Sequence, residues 1–222
     1  MATPSRRLPK VSAGPRGLSR NLVAAHQQER ILNAATELFG QQGYHQTTLE
    51  QITKQARVAW STLYQNFETK EDVYLAAFDQ AVEHAAGRVT ETVPSEAGWE
   101  DRATIATETL IELAADDPIR ARLCLVEFQS AGPAARGRYE ALIERLAAAL
   151  REGRKLNRGA GRPERLEESI VGGIAWLVQG SLTEGEIARL RGLLPEILQI
   201  ALTPYVGEDE ANRRALAVGS GR

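Results

Sequence analysis

Cysteine is almost absent from this chain: Cys124 stands alone among 222 residues. No internal disulfide can form, and no thiolate cluster is available to hold a metal. The three histidines, His26, His45 and His84, are too scattered to supply a metal site either. Aromatic residues make up 5% of the chain, so an aromatic side chain in a polar stretch stands out. No run of 18 or more apolar residues occurs, so no transmembrane helix is expected. Positive charge near the N-terminus is not followed by an apolar stretch, so no secretory signal is expected. A reducing cytoplasm is the expected compartment. No nucleophile motif or metal-ligand spacing is present, and the glycines of the polar stretch Asn157–Gly161 lack the spacing and trailing lysine of a phosphate loop. Asp116-Asp117 and Glu167-Glu168 are neighbours that face different directions on a helix, so they read as helix-end charges rather than a catalytic pair. Neither an enzyme nor a cofactor is expected.

What is present is ordinary for a globular protein, with 43% hydrophobic and 25% charged residues, but charge changes sign along the chain. Residues 1–70 carry nine Lys/Arg against four Glu, a net of +5, and residues 71–222 carry 18 against 25, a net of −7. A basic head on an acidic body points to a polyanion that meets the head only. Five of the nine basic residues lie before residue 22, so a basic tail is the competing source of the asymmetry. Residues 1–21, rich in Pro, Gly and Ser, have no apolar periodicity and read as a flexible arm. Such an arm is free to enter a minor groove or to serve as a mere tail.

From Leu22 onward the pattern is helical. Ile31, Leu32, Ala35, Leu38 and Phe39 form the stripe of an amphipathic helix, stopped by Gly43. Thr48 is a good N-cap for a two-turn helix with Leu49, Ile52 and Ala56 inward. A break at Arg57-Val58-Ala59 leads to a short helix over residues 60–66, with Leu63 and Phe67 inward. Thr69 caps a fourth helix whose first turn holds Glu71 and Asp72, where the helix dipole favours them. Beyond residue 94, Asp117-Pro118, Gly132-Pro133 and Pro163 each open a further helix, and Pro195 sits near the start of the last. The expected fold is all-α, about nine helices: a three-helix head (22–84, with the fourth helix as connector), a helical body (85–206) and a flexible tail (207–222).

Two short helices joined by a three-residue break, after a longer one, lay a recognition helix in the major groove of double-stranded DNA. With Leu63 and Phe67 inward, Trp60, Ser61, Thr62, Tyr64, Gln65 and Asn66 face outward. Hydroxyls and amides of this kind bond phosphate oxygens and base edges. Thr47, Thr48 and Lys70 sit at helix N-termini, which attract phosphates. The run Gly43-Tyr44, Thr47-Thr48, Ile52, Ala56-Arg57-Val58, Ser61-Thr62-Leu63-Tyr64, Phe67 and Lys70-Glu71 resembles the DNA-binding head of the TetR family of transcriptional regulators, over residues 25–80. The resemblance implies that Thr62, Tyr64 and Lys70 contact the DNA backbone, that Trp60, Ser61, Gln65 and Asn66 help choose sequence, and that Thr48 caps. Three residues depart from the family pattern. Arg57 replaces a turn glycine, Ala59 replaces a side-chain cap, and Trp60 replaces a polar or basic residue. Trp60 is open to packing on a thymine methyl or a sugar, or to folding back on the head.

The resemblance also implies a body that senses a small molecule and forms a homodimer through its last two long helices. Gly172 and Gly173 thin one helix face for close approach, and Ile170, Gly173, Ile174, Leu177, Leu194, Ile197 and Leu198 are the expected interface. Intramolecular packing of the same residues is the competing reading. Trp99, Leu123, Phe128 and Trp176 are the foremost ligand candidates, with Arg102, Cys124, Glu127 and Tyr139 behind them. Cys124 in an apolar helix reads as inert filler. The expected function is a ligand-responsive regulator, a repressor released from a palindromic operator by an unidentified small molecule. The rival is a helical interaction protein with a degenerate head.

Overall fold

The computed structural model describes residues 15–156 and 162–220, and every described regular element is helical. The chain runs α1 (Pro15–Gln42), α2 (Leu49–Ala56), α3 (Trp60–Asn66), α4 (Lys70–Thr92), α5 (Trp99–Asp116), α6 (Pro118–Leu125), α7 (Pro133–Arg151), α8 (Leu166–Glu184), α9 (Ile187–Gly192), α10 (Leu194–Val206) and α11 (Glu208–Ser220). Single 3₁₀ turns, Glu127–Gln129 and Glu152–Lys155, follow α6 and α7. Helix α1 takes in the last seven residues of the expected arm; the rest of that arm and the Asn157–Gly161 stretch lie outside the described residues.

Local chemistry sets the boundaries. Thr48 and Thr69 each form a capping box, Thr48 with Gln51 and Thr69 with Asp72, so two otherwise unpaired N–H groups are satisfied at each start. The hydrogen bonds from the backbone and side chain of Thr69 hold the Asp72 carboxyl below the usual carboxylate range. Asp117 caps α6 ahead of Pro118, its Oδ1 accepting from the Arg120 N–H at 3.0 Å. Helix α8 starts at Leu166 rather than at Pro163, which is followed by a turn. Pro195 occupies the first turn of α10, where a missing N–H costs nothing.

Two cores result. The first gathers Ile31, Phe39, Ile52, Leu63, Val73, Tyr74 and Phe78 of α1–α4 and continues without a break into Leu123, Phe128 and Ala135 of the body. The second joins α5, α8, α9 and α10 and includes Ala211 and Ala215 of α11. The last helix therefore corrects the expected flexible tail at 207–222. Its alanine face covers α10, and Arg214 ties it to Asp101 of α5 at 2.6 Å. The helix count rises to eleven among the described residues because α9 spans only six residues and α11 presents mostly charged side chains and alanines, with few large apolar ones.

Glu167 stands in the first turn of α8, as a helix-end charge should, but it does not face solvent. It is fully buried at the start of α8. Arg154 donates to both of its carboxylate oxygens, from Nε at 2.7 Å and from a terminal nitrogen at 2.6 Å, and the Tyr205 hydroxyl donates at 2.9 Å. Burial pushes the Glu167 carboxyl up, but the bonds from Arg154 and Tyr205 outweigh it and leave the carboxyl below its ordinary value. A folded-state value below the unfolded one adds stability above the unfolded pKa, lost as pH falls through the folded value. Glu167→Gln is therefore expected to lower the urea midpoint at pH 7 by the equivalent of ~1–3 kcal/mol. The gap to wild type should close as pH falls below about 4; a gap that persists unchanged at acid pH would contradict this assignment.

Candidate nucleic-acid interface

The α2–turn–α3 unit is built on a strained residue. Arg57 lies in the left-handed region, φ 52° and ψ 47°, with no glycine to ease it, a conformation that costs an L-residue about 1–2 kcal/mol. The guanidinium of Arg30 on α1 offsets part of this strain. It donates to the carbonyls of Ala56 and, at 2.7 Å, of Arg57, satisfying the exposed C-terminal end of α2. Nothing in the sequence pattern marked Arg30, because its partners are backbone atoms 26 and 27 residues away. Ala59, at the N-cap of α3, makes no side-chain cap bond, as its methyl group dictates.

The outer face of α3 presents Trp60, Ser61, Tyr64, Gln65 and Asn66 to solvent, with Thr62 half-buried. Leu63 and Phe67 point into the core. Trp60 does not fold back on the head. Its ring stacks on Tyr64 one turn along, centroids 5.6 Å apart and planes 20° apart. The pair makes an apolar ridge, 44% and 55% exposed, along an otherwise polar helix. Asn66 spends one N–H on the Thr62 carbonyl at 2.8 Å. Thr48 is exposed at the α2 start, and its hydroxyl accepts from the Gln51 N–H.

Thr47 is a correction. It is fully buried, its hydroxyl donating to the Gly43 carbonyl at 2.8 Å and accepting from Gln42 at 3.2 Å, so its side chain shapes the α1–α2 turn and cannot reach DNA. Lys70 holds the same turn from the other side. Its ammonium donates to the carbonyls of Tyr44 at 2.9 Å and Thr47 at 3.0 Å, and lies 4.3 Å above the Tyr44 ring. Partial burial draws its pKa down. An ammonium has three donors, which leaves one for a phosphate oxygen.

The body separates the other expected site residues. Two apolar cavities lie among α4–α8 and α10. The first, about 350 Å³, includes Cys124, Leu125 and Arg120 of α6; the second, about 320 Å³, includes Trp99, Arg102 and Ile174. Of the four foremost ligand candidates, only Trp99 lines a cavity. Leu123 is sealed in the head–body core, where its carbonyl accepts from the Tyr74 hydroxyl at 2.6 Å. Phe128 stacks on Tyr139 with centroids 3.8 Å apart. Trp176 stands 70% exposed on the outside of α8. Burial pushes the Cys124 thiol up to about 12, so it lines its cavity as an unreactive group. Glu127 accepts from the Tyr44 N–H at 2.9 Å, a head–body contact rather than a cavity one.

The expected interface residues divide in the same way. Leu194, Ile197 and Leu198 are fully buried within the chain, under α5 and α11, because α11 occupies the side of α10 that was expected to be free. Ile170 is buried too, Ile174 turns toward the second cavity, and Leu177 is half-buried. Gly173 remains exposed, beside Trp176.

This arrangement defines a helix-turn-helix head on an all-helical body. Residues 31–77 of the chain match the family model described as bacterial regulatory proteins, tetR family. Among curated relatives, the chain is 31% identical over 88 residues to the fatty acid metabolism regulator protein of Bacillus subtilis, covering 40% of this chain and 45% of that one. It is 28% identical over 115 residues to the transcriptional activator FasR of Mycolicibacterium smegmatis, covering 52% of each. The chain thus spans about half the length of the curated relatives it matches. Similar solved structures include the regulator FadR of Bacillus subtilis in complex with stearoyl-CoA, with a TM-score of 0.67 and 22% identity over 81% of this chain and 98% of that one. A gamma-butyrolactone receptor matches with a TM-score of 0.65 and 18% identity, over 90% and 100%. At these identities the likeness is one of fold.

The geometry separates roles that a binding assay can read. Lys70→Met is expected to weaken DNA binding about equally on all sequences and to reduce the salt slope by about 1. Trp60→Ala is expected to cost about 1–3 kcal/mol on a selected duplex and little on random DNA. Equal losses from Trp60→Ala on both duplexes would show that its ring reads no base.

Proposed function

We propose that the chain is a ligand-responsive DNA-binding transcriptional regulator acting as a homodimer in the cytoplasm, a repressor released from a near-palindromic operator by a small molecule. The observation that carries this reading is the outer face of α3, polar and hydroxyl-bearing between the buried anchors Leu63 and Phe67. A head kept only for its shape has no use for such a face.

Dimerisation is supported by helix α8. A Cβ added at Gly172, Gly173 or Gly180 would meet nothing within 4 Å in the chain's own fold. Each glycine costs the helix up to about 1 kcal/mol relative to alanine, and no intramolecular contact recovers that cost. A second copy packed closely on this face does so, and it also covers Trp176. Two recognition helices would then sit about 34–36 Å apart, in successive major grooves.

The response to a ligand is supported by the two faces of α6. One side lines the first cavity through Arg120, Ala121 and Cys124. The other side holds α1 through Arg122, whose Nε donates to the Gly40 carbonyl at 3.0 Å. A molecule that fits the cavity better in one α6 position shifts the population toward it. The names of the relatives, a fatty acid regulator and a structure holding stearoyl-CoA, fit an apolar cavity of this kind.

The test is fluorescence anisotropy of the full chain on a duplex selected from a random-sequence pool, across a salt series and against scrambled DNA. Selective binding that weakens steeply with salt is expected, and equal weak binding to both duplexes would overturn the reading. Gly173→Glu should shift the sedimenting mass from dimer to monomer and abolish tight binding. A dimer that survives this change places the interface elsewhere.

A further inference from the structure

The two cavities of the body share five wall residues, Val89, Ala106, Leu110, Leu146 and Ala149. These five residues stand between the two chambers, and the smallest of them, Ala106 and Ala149, mark where a neck between the chambers would open. Beyond the neck the far chamber reaches Trp99, Val171, Ile174 and Ala201. Each chamber alone lies at the lower end of the ~300–1,000 Å³ range of small-molecule sites. A compact ligand would fill one chamber; only an elongated one fills both.

Polar groups at the two ends differ. In the far chamber Arg102 and Glu152 satisfy each other at 2.8 Å. In the near chamber, Nε of Arg120 is buried and lies 3.2 Å from Oδ2 of Asp117, yet completes no hydrogen bond. A buried donor without an acceptor is uncommon. That nitrogen itself is sealed, but Arg120 lines the near chamber with 33% of its side chain exposed, which leaves the rest of the guanidinium to meet an oxygen carried by a ligand.

Resting on the regulator reading above, we infer that the effector is a long-chain aliphatic acyl compound threaded through the neck. Its carboxyl-level oxygen accepts from Arg120 in the near chamber, and its tail ends against Trp99 and Ile174. Ala106 sets the chain length that is admitted. A free carboxylate and a thioester share this chemistry, since each presents an acyl oxygen at the head of the same chain.

The test titrates the full-length chain with octanoate, laurate and palmitate, and with the matching CoA thioesters, by calorimetry. Affinity is expected to rise with length up to palmitate, by about fourfold for each methylene buried. Tighter binding of the acids assigns the free carboxylate, and tighter binding of the thioesters assigns the CoA ester. Ala106→Leu, which narrows the neck, should leave octanoate unchanged and weaken palmitate at least about tenfold. Ala103→Leu in the far chamber should do the same from an independent position. Arg120→Met should weaken every length by a similar factor. Palmitate affinity untouched by both leucine variants, or no acyl compound bound at any length, would overturn the inference. Binding to the selected duplex without added lipid is measured in parallel, so an intact regulator that ignores acyl chains counts against this inference alone.

Discussion

Helix α6 is packed and hydrogen-bonded directly against the base of the helix-turn-helix head, and the remaining organisation of the chain is arranged around that contact. At Gly40 the backbone of α1 lies so near α6 that an added Cβ would meet the Ile119 carbonyl oxygen at 2.2 Å. Across that contact Arg122 donates to the Gly40 carbonyl and, at 2.8 Å, to the Leu182 carbonyl of α8. The Tyr74 hydroxyl of α4 closes on Leu123, and Glu127 accepts from the Tyr44 N–H. Interiors packed at this density move between discrete arrangements rather than deforming smoothly. A head joined to a body through α4 alone would have been a loosely tethered one.

The turn between α1 and α2, which Glu127 meets at Tyr44, is closed from several sides. Gly43 takes φ 88°, Thr47 and Gln42 close the turn from within, and Lys70 grips it from α4. The polar side chains of this part of the head are thus divided between those that build the turn and those that remain open to solvent. Thr47 belongs wholly to the first group, Ser61 and Gln65 to the second, and Lys70 to both.

Much of the head was legible in the sequence because its signals are local. Caps at Thr48 and Thr69, the three-residue break and the inward pair Leu63 and Phe67 are all read within a few residues of one another. The family resemblance then supplied the roles. The body was less legible for a physical reason. An apolar stripe states that a helix buries a face, but not against which partner. Leu194, Ile197 and Leu198 therefore looked equally suited to a second chain and to the chain's own core, and the choice depended on α11. That helix packs through alanines, which carry little periodic signal. Glu167 was read as a helix-end charge, which it is, but its burial was not legible because it depends on Arg154 and Tyr205, 13 and 38 residues away. Trp176 drew attention as a ligand group, whereas its position on α8 makes it a surface group beside exposed Gly173.

The most direct test of the junction needs no ligand. Ala121 lines the near chamber from α6, so Ala121→Phe fills that space from within and mimics occupancy. Affinity for the selected duplex is measured by anisotropy, with circular dichroism confirming that the helical fold is retained. Coupling of about 1–3 kcal/mol predicts a loss of roughly 5- to 150-fold in the filled variant. A folded Ala121→Phe protein that binds the duplex as tightly as wild type would show that the cavity and the head do not communicate through α6.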